Sequence, residues 1–425
     1  MTDALPPGWV LTTLGEVFEI VGGATPSTSE PSFWGGDIPW LTPDDLASHD
    51  GIEVASGRRS ITVAGYDSAS THFLPQGAVL FSSRAPIGYA AIAAQPLCTN
   101  QGFKSLIPPE GVDSRYVYWY LRHATPAIRE MGSGTTFKEM SKKRMASVPF
   151  VLAPRVEQQR IVAAIEEQFS RLDAADASLS AAELRCQAVV KSILVGAVPD
   201  DPPPAWRMTT VGEAGVTGLG RQRSPKYHSG LNMKPYLRVA NVFEDRIDAS
   251  DVMEMHFDEA EFEKYRLEAG DVLLNEGQSP EWLGRPAIYR GDPTDVAFTN
   301  SLIRFVPGPD VTSEWALLVF RRHMHAGRFM QESRITTNIA HLALGRFRSV
   351  EFPIPPLEVQ GAMVASTRSA LDSVARILNQ IRSAAVRVSA LRRSVLAEAF
   401  TGRLVSRSPV DESASVMLEG IGAGA

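Results

Sequence analysis

Three polar stretches in the first half of this chain return at matched places in the second half, and their residue types are those that read nucleic acid. Phe81-Ser82-Ser83-Arg84 ahead of Pro86-Ile87-Gly88 corresponds to Leu274-Asn275-Glu276-Gly277-Gln278 ahead of Leu283-Gly284-Arg285. Cys98-Thr99-Asn100-Gln101-Gly102-Phe103-Lys104 corresponds to Phe298-Thr299-Asn300-Ser301, and Gly132-Ser133-Gly134-Thr135-Thr136-Phe137-Lys138 to Ile335-Thr336-Thr337-Asn338-Ile339. Asn, Gln, Arg, Lys, Ser and Thr supply the donors and acceptors that meet base edges and phosphates. The candidate contact residues are Ser83, Arg84, Asn100, Gln101, Thr135, Thr136 and Lys138, with Lys142 and Lys143 just beyond them. In the second half they are Asn275, Gln278, Arg285, Asn300, Thr336, Thr337 and Asn338, with Arg346 beyond. For any one of them, an ordinary turn or cap is the competing reading.

Catalytic constellations are missing from the sequence. An adenine methyltransferase needs a Gly-rich cofactor loop and an acid or amide before Pro-Pro and an aromatic, to hold a flipped base. Asp201-Pro202-Pro203-Pro204 lacks the aromatic, and Gly218-Leu219-Gly220 is no more than a turn. Metal-dependent nucleases commonly place an acid two residues before a lysine; none of the eight lysines has one. Gly102-Phe103-Lys104-Ser105 lacks the upstream glycine of a phosphate loop. His323-x-His325 has no partner pattern for a metal. Neither a catalytic nor a metal site is expected. By elimination the chain reads as a binding device, with an unfamiliar active site as the other possibility.

Composition bounds the partners. The chain has 425 residues, 44% apolar and 21% charged, an ordinary globular balance with room for two or three domains. Its formal net charge of −6 argues against a polyanion partner. The distribution argues the other way: basic residues cluster at Lys138, Lys142, Lys143 and Arg144, at Arg321, Arg322, Arg328 and Arg334, and at Arg346 and Arg348. Two cysteines, Cys98 and Cys186, support neither disulfides nor zinc, and no leader or membrane span is legible, so a cytoplasmic location is expected.

The elements that must position these loops are themselves duplicated. Pro6-Pro7-Gly8-Trp9 with Thr12-Thr13-Leu14-Gly15-Glu16 recurs as Pro203-Pro204-Ala205-Trp206 with Thr209-Thr210-Val211-Gly212-Glu213, a shift of 197. Ser147-Val148, Pro154 and Gln158 recur as Ser349-Val350, Pro356 and Gln360. After each comes a heptad run, with seam positions Ile165, Leu172, Leu179, Cys186 and Ile193, then Val374, Ile381, Val388 and Val395. Neither helix can bury its stripe alone, so each is expected to pack on the other. The first run carries an acidic excess and the second an arginine excess, which favours an antiparallel pair within one chain. The expected division is 1–156 as a first α+β module, 157–198 as a helix, 199–354 as a second module, 355–405 as a second helix, and 406–425, rich in Ser, Gly and Ala, as a disordered tail.

Taken together, Leu80-Phe81-Ser82-Ser83-Arg84-Ala85-Pro86-Ile87-Gly88, Gly134-Thr135-Thr136-Phe137-Lys138-Glu139, Pro154-Arg155-Val156-Glu157-Gln158-Gln159-Arg160-Ile161 and Arg393-Ser394-Val395-Leu396-Ala397-Glu398-Ala399-Phe400-Thr401-Gly402 resemble a specificity subunit of a type I restriction-modification system. The likeness runs from about residue 5 to 405 and departs from the family pattern at Leu357-Glu358-Val359-Gln360-Gly361. It implies an α+β fold of two pseudo-repeated target-recognition domains separated by two long helices that form an antiparallel coiled coil. Each domain would read one half of a bipartite, asymmetric site on double-stranded DNA. The resemblance further implies a chain without catalysis or cofactor of its own, serving phage defence. Two methyltransferase subunits would dock on the helices with S-adenosylmethionine, and restriction subunits would bring ATP and Mg. The reading from a different class is a duplicated protein-binding scaffold without DNA specificity.

Overall fold

The computed structural model describes residues 5–84, 86–133, 138–336, 339–406 and 412–423. Two compact units form, one from Met1–Ser178 with Ala384–Ala425 and the other from Leu179–Ser383. Each unit takes one module together with a piece of both long helices.

In the first unit a five-stranded sheet runs in the order Glu19–Gly22, Lys104–Ile107, Val79–Ser83, Ile87–Ala93, Glu53–Val54. Its central strand is buried along its whole length, which explains the unbroken apolar run at Ala78 to Phe81. The helix Ser114–Met131 covers one side, opened by Asp113, whose carboxylate accepts from the amides of Arg115 and Tyr116. A smaller sheet orders Arg59–Ile61, Trp34–Leu41 and Cys98–Thr99, the last pair parallel. Cys98 lies buried in that strand, and burial pushes its thiol up to about 11.

The second unit repeats this plan. Its four-stranded sheet runs Gly215–Leu219, Leu302–Pro307, Val272–Asn275, Pro286–Ile288, its helix is Ser313–His325, and its smaller sheet again contains a parallel pair, Met233–Leu237 with Ala297–Phe298. The duplicated opening motifs form the same structure twice. Val10–Thr13 pairs antiparallel with Pro149–Leu152, as Arg207–Thr210 does with Glu351–Ile354. A capping box then links Thr13 to Glu16, and another links Thr210 to Glu213.

The long helices are Arg155–Gly196 and Leu357–Phe400, the second starting where the family pattern breaks. One glutamine in the first turn of each ties it to its module. Gln158 accepts from the amide of Asp113 at 2.9 Å and donates to the Ala153 carbonyl at 2.8 Å. Gln360 accepts from the amide and hydroxyl of Thr312 and donates to the carbonyls of Asp310 and Pro355. Both are fully buried, and both pin the start of a long helix to the cap of a module helix.

Of the heptad positions, Ile165, Val374 and Val388 are buried, while Leu172, Leu179, Cys186, Ile193, Ile381 and Val395 are half-buried. The helix ends enter the module cores. In the first unit Phe400 packs its ring 5.4 Å from Tyr116 and 5.1 Å from Tyr120, and in the second unit Leu194 and Val198 join the core with Trp315 and Phe352. Within the first unit Arg392 of the second helix holds Asp173 and Asp176 of the first, which realises the expected charge complementarity there.

One expectation fails outright. The terminal residues expected to be disordered include a helix, Ala414–Ala423. Ala414, Met417, Leu418 and Ile421 pack on the first core, and the Ala414 amide donates to the Gly8 carbonyl at 2.9 Å. Those four positions have i, i+3, i+4, i+7 spacing, an apolar face that the surrounding Ser, Gly and Ala content hid.

Candidate nucleic-acid interface

The sheet ends bring the three polar stretches of each module together through backbone hydrogen bonds. In the first unit the amide of Ser83 donates to Gly102 at 2.7 Å, and the amide of Met140 donates to Ser83 at 2.9 Å. Arg84 forms a backbone bridge with Glu139, which also bridges Ser133. In the second unit Glu276 takes the central place: its amide donates to Ser301 at 3.0 Å and its carbonyl accepts from Leu342 at 2.8 Å. Residues more than fifty apart in sequence thus converge twice in the same way.

Tight turns hold the first stretch in place, and glycine is required in both. Gly88 has φ 111° and a Cβ there would collide with Thr125 Cγ2; Gly284 has φ 72° and would collide with Phe329. In the first unit Ser82 completes the turn, its hydroxyl accepting from the amides of Gly88 and Tyr89 and donating to Pro86.

The candidate residues divide by exposure. Ser83 and Asn275 are fully buried, so the expectation that they contact nucleic acid is corrected: the fold uses their hydrogen bonds, Ser83 to Gly102 at 3.0 Å and Asn275 to Val242 at 3.5 Å. Both end central strands, where the interior continues one residue further than the polar sequence suggests. Arg84 and Asn100 are half-buried, the Asn100 carboxamide closing the turn by accepting from Gly102. Gln101, Lys138, Lys142 and Lys143 are exposed, the last two on the short helix Lys142–Ala146. In the second unit Asn300 and Arg346 are exposed and Gln278 is half-buried. Arg285 is half-buried with its guanidinium 4.8 Å from the Phe243 ring, and burial lowers its pKa against the pull of Glu244. Thr135, Thr136, Thr337 and Asn338 lie outside the described residues, and of Thr336 only the backbone is described, in the strand Arg334–Thr336.

Two features escaped the sequence reading. Lys104 sits beneath the first unit's loops, its ammonium 3.5 Å from Ser83 Oγ and within 3.4 Å of the Gln101 and Phe103 carbonyls. Burial lowers its pKa, with Glu139 opposing and Arg84 adding to the shift. It stands in the Asn100-to-Lys104 run, so only its burial was hidden. The second feature is a further segment on each surface, entered through Gly23 and Gly220. A Cβ on Gly23 would strike Thr99, and one on Gly220 would strike Phe298 and Thr299, so both segments leave against the Thr-Asn turn. Thr25 donates to Gln101 at 2.6 Å in the first unit, and the Asn300 amide donates to Arg221 at 3.0 Å in the second.

Among the described residues no group of three or more His, Cys, Asp or Glu is placed to hold an ion. His323 meets the Glu351 carbonyl at 3.0 Å and His325 meets Glu244 at 2.9 Å, so the pair serves two different partners. Among the described residues no helix is long and apolar enough to cross a membrane.

Residues 6–177 match the type I restriction modification DNA specificity domain. A stretch of 159 residues is 40% identical to the type I restriction enzyme MjaIX specificity subunit of Methanocaldococcus jannaschii, covering 37% of this chain and 37% of that protein. The type I restriction enzyme EcoKI specificity subunit of Escherichia coli is 20% identical across 95% of this chain and 90% of its own length. A solved structure described as the structural basis of complex assembly and conformational transition of the type I R-M system shares the fold, with TM-score 0.71 and 20% identity over 94% of this chain and 100% of that one.

Proposed function

Because residues 6–177 match the type I restriction modification DNA specificity domain and the chain is similar to specificity subunits of such systems, we propose that it is one of them and directs its complex to a bipartite, asymmetric site on double-stranded DNA, each module reading one half. The observation that carries this reading is the double convergence of three polar stretches at the ends of matched strands, with an exposed basic helix next to each. Gln101, Lys138, Lys142 and Lys143 in one module, and Asn300 and Arg346 in the other, are the exposed side chains offered to DNA. The loops differ in residue type while the frame is shared, which suits two different half-sites. A protein-binding scaffold without DNA specificity is not favoured, since the similar proteins are specificity subunits.

In this proposal the chain performs no chemistry. Two methyltransferase subunits dock on the long helices and bring S-adenosylmethionine, and restriction subunits bring ATP and Mg. The chain works in the cytoplasm, where the DNA is.

Methylation-site mapping of the chain with its methyltransferase partner tests the reading. A two-part site is expected, and exchanging residues 1–156 for those of a relative should change one half only. Both halves changing together, or methyl transfer by the chain without a partner, would overturn it.

A further inference from the structure

The two segments that leave through Gly23 and Gly220 have opposite character. From Ala24 to Phe33 the first unit's segment carries no basic residue and one acid, Glu30. From Arg221 to Lys234 the second unit's carries Arg221, Arg223, Lys226 and Lys234, with His228 and no acid. In a chain whose net charge is −6, such a run stands against the average.

Both ends of the second segment are fixed. Arg221 is 5% exposed: it pairs with Glu261, donates to the His256 carbonyl, and stacks 3.8 Å from the Tyr227 ring and 4.5 Å from Phe257. At the far end Asn232 donates from its amide to His256 Nδ1 at 3.2 Å and from its side chain to the Phe257 carbonyl at 2.9 Å. One buried arginine is thus spent on anchoring, while Arg223, Lys226 and His228 remain exposed between the anchors. Leu231 is fully exposed, at 105%, beside them. A leucine held in water beside cations has no role in the core. It fits the surface of a partner that offers negative charge next to apolar edges, as phosphates beside thymine methyls or unstacked base steps do.

Resting on the reading above, we propose that Gln222–Leu231 is a DNA-gripping arm of the second module alone, with Arg223 and Lys226 on backbone phosphates and Leu231 against a base. The arm then adds two phosphate contacts to the salt-sensitive affinity of the second half-site. Neutralising one phosphate contributes about 0.9 to the slope of log affinity against log salt, so losing two should flatten it by roughly 1.8.

The test uses the full chain in complex with its methyltransferase subunits, a duplex carrying the mapped site, and a scrambled duplex of equal length. R223A/K226A should flatten the slope by roughly 1.8 and weaken both duplexes alike, by about tenfold or more at 0.1 M salt. L231S should leave the slope unchanged and relax base preference, by methylation mapping, at one position of the second half-site. All three residues are exposed, so folding is not at stake. If the wild-type complex binds while R223A/K226A keeps its slope, the arm proposal fails and the DNA reading stands. If the variant instead loses methyltransferase subunits, the segment is a protein contact and the proposal is overturned. If the wild-type complex shows no salt-dependent duplex binding, the DNA reading itself fails.

Discussion

The two modules share a frame and differ in what they hang on it. Matched strands, matched capping boxes and matched buried glutamines carry Ser83 and Glu276 to the same place in their loop clusters. Beyond that point the chemistry diverges: Gln101, Lys138, Lys142 and Lys143 on one surface, Asn300, Arg346 and a basic arm on the other. Frame residues answer to packing, where volume and hydrogen bonds leave few choices. Loop residues answer to solvent or a ligand, and can vary without cost to the fold.

The largest effect that could break this symmetry lies in the glutamines. Gln360 makes four hydrogen bonds to its module and Gln158 two. Each buried group left unsatisfied costs about 1–3 kcal/mol, so Q360A should destabilise the second unit by about 4 kcal/mol and Q158A the first by about 2–3. Hydrogen exchange followed separately in the two units reads this out. Equal losses, or losses shared by both units in either variant, would show that the glutamines do not anchor unit by unit.

Acid should separate the modules next. Burial lowers His323 from the ordinary 6.5 to about 4, with Glu351 opposing and Arg322 and Arg328 adding to the shift. As pH falls below 6.5 the unfolded chain takes up a proton that the folded unit refuses. Stability present above that pH is therefore lost progressively down to about 4, by roughly 3 kcal/mol. His123 in the first unit is also lowered by burial, but without such a charged surround. The second unit should lose exchange protection first on acidification, and H323Q should flatten that loss. An unchanged profile in H323Q would assign the acid sensitivity to other groups.

The smallest effect sharpens the comparison on the helices. Arg392 bridges Asp173 and Asp176 in the first unit at 2.5 and 2.6 Å. The positions related by 202 are Val190, Ala375 and Leu378, so the second unit has no counterpart. Asp173 is exposed and Arg392 and Asp176 are half-buried, so the pair is still reached by solvent, and R392A should cost the first unit about 1 kcal/mol, shrinking in high salt. A loss of several kcal/mol, or one insensitive to salt, would mean that Arg392 acts through its packing over Phe169.

Sequence by itself determined what repeats locally: the doubled motifs, the heptad stripes of both helices, and the glycines at 88 and 284 that close the turns, because period and turn chemistry are written in neighbouring residues. It placed Ser83 and Asn275 among the contact residues because a polar side chain at the end of a strand looks alike whether the last step faces water or the interior. Only the tertiary structure decided that both are buried. Only it showed the helix Ala414–Ala423 returning to the first core beside Gly8. Only it laid the Arg221 segment against the Thr299-Asn300 turn, across a parallel pairing of strands about sixty residues apart. Such pairings follow from which surfaces can be buried together, a property of the whole chain's packing that no local stretch encodes.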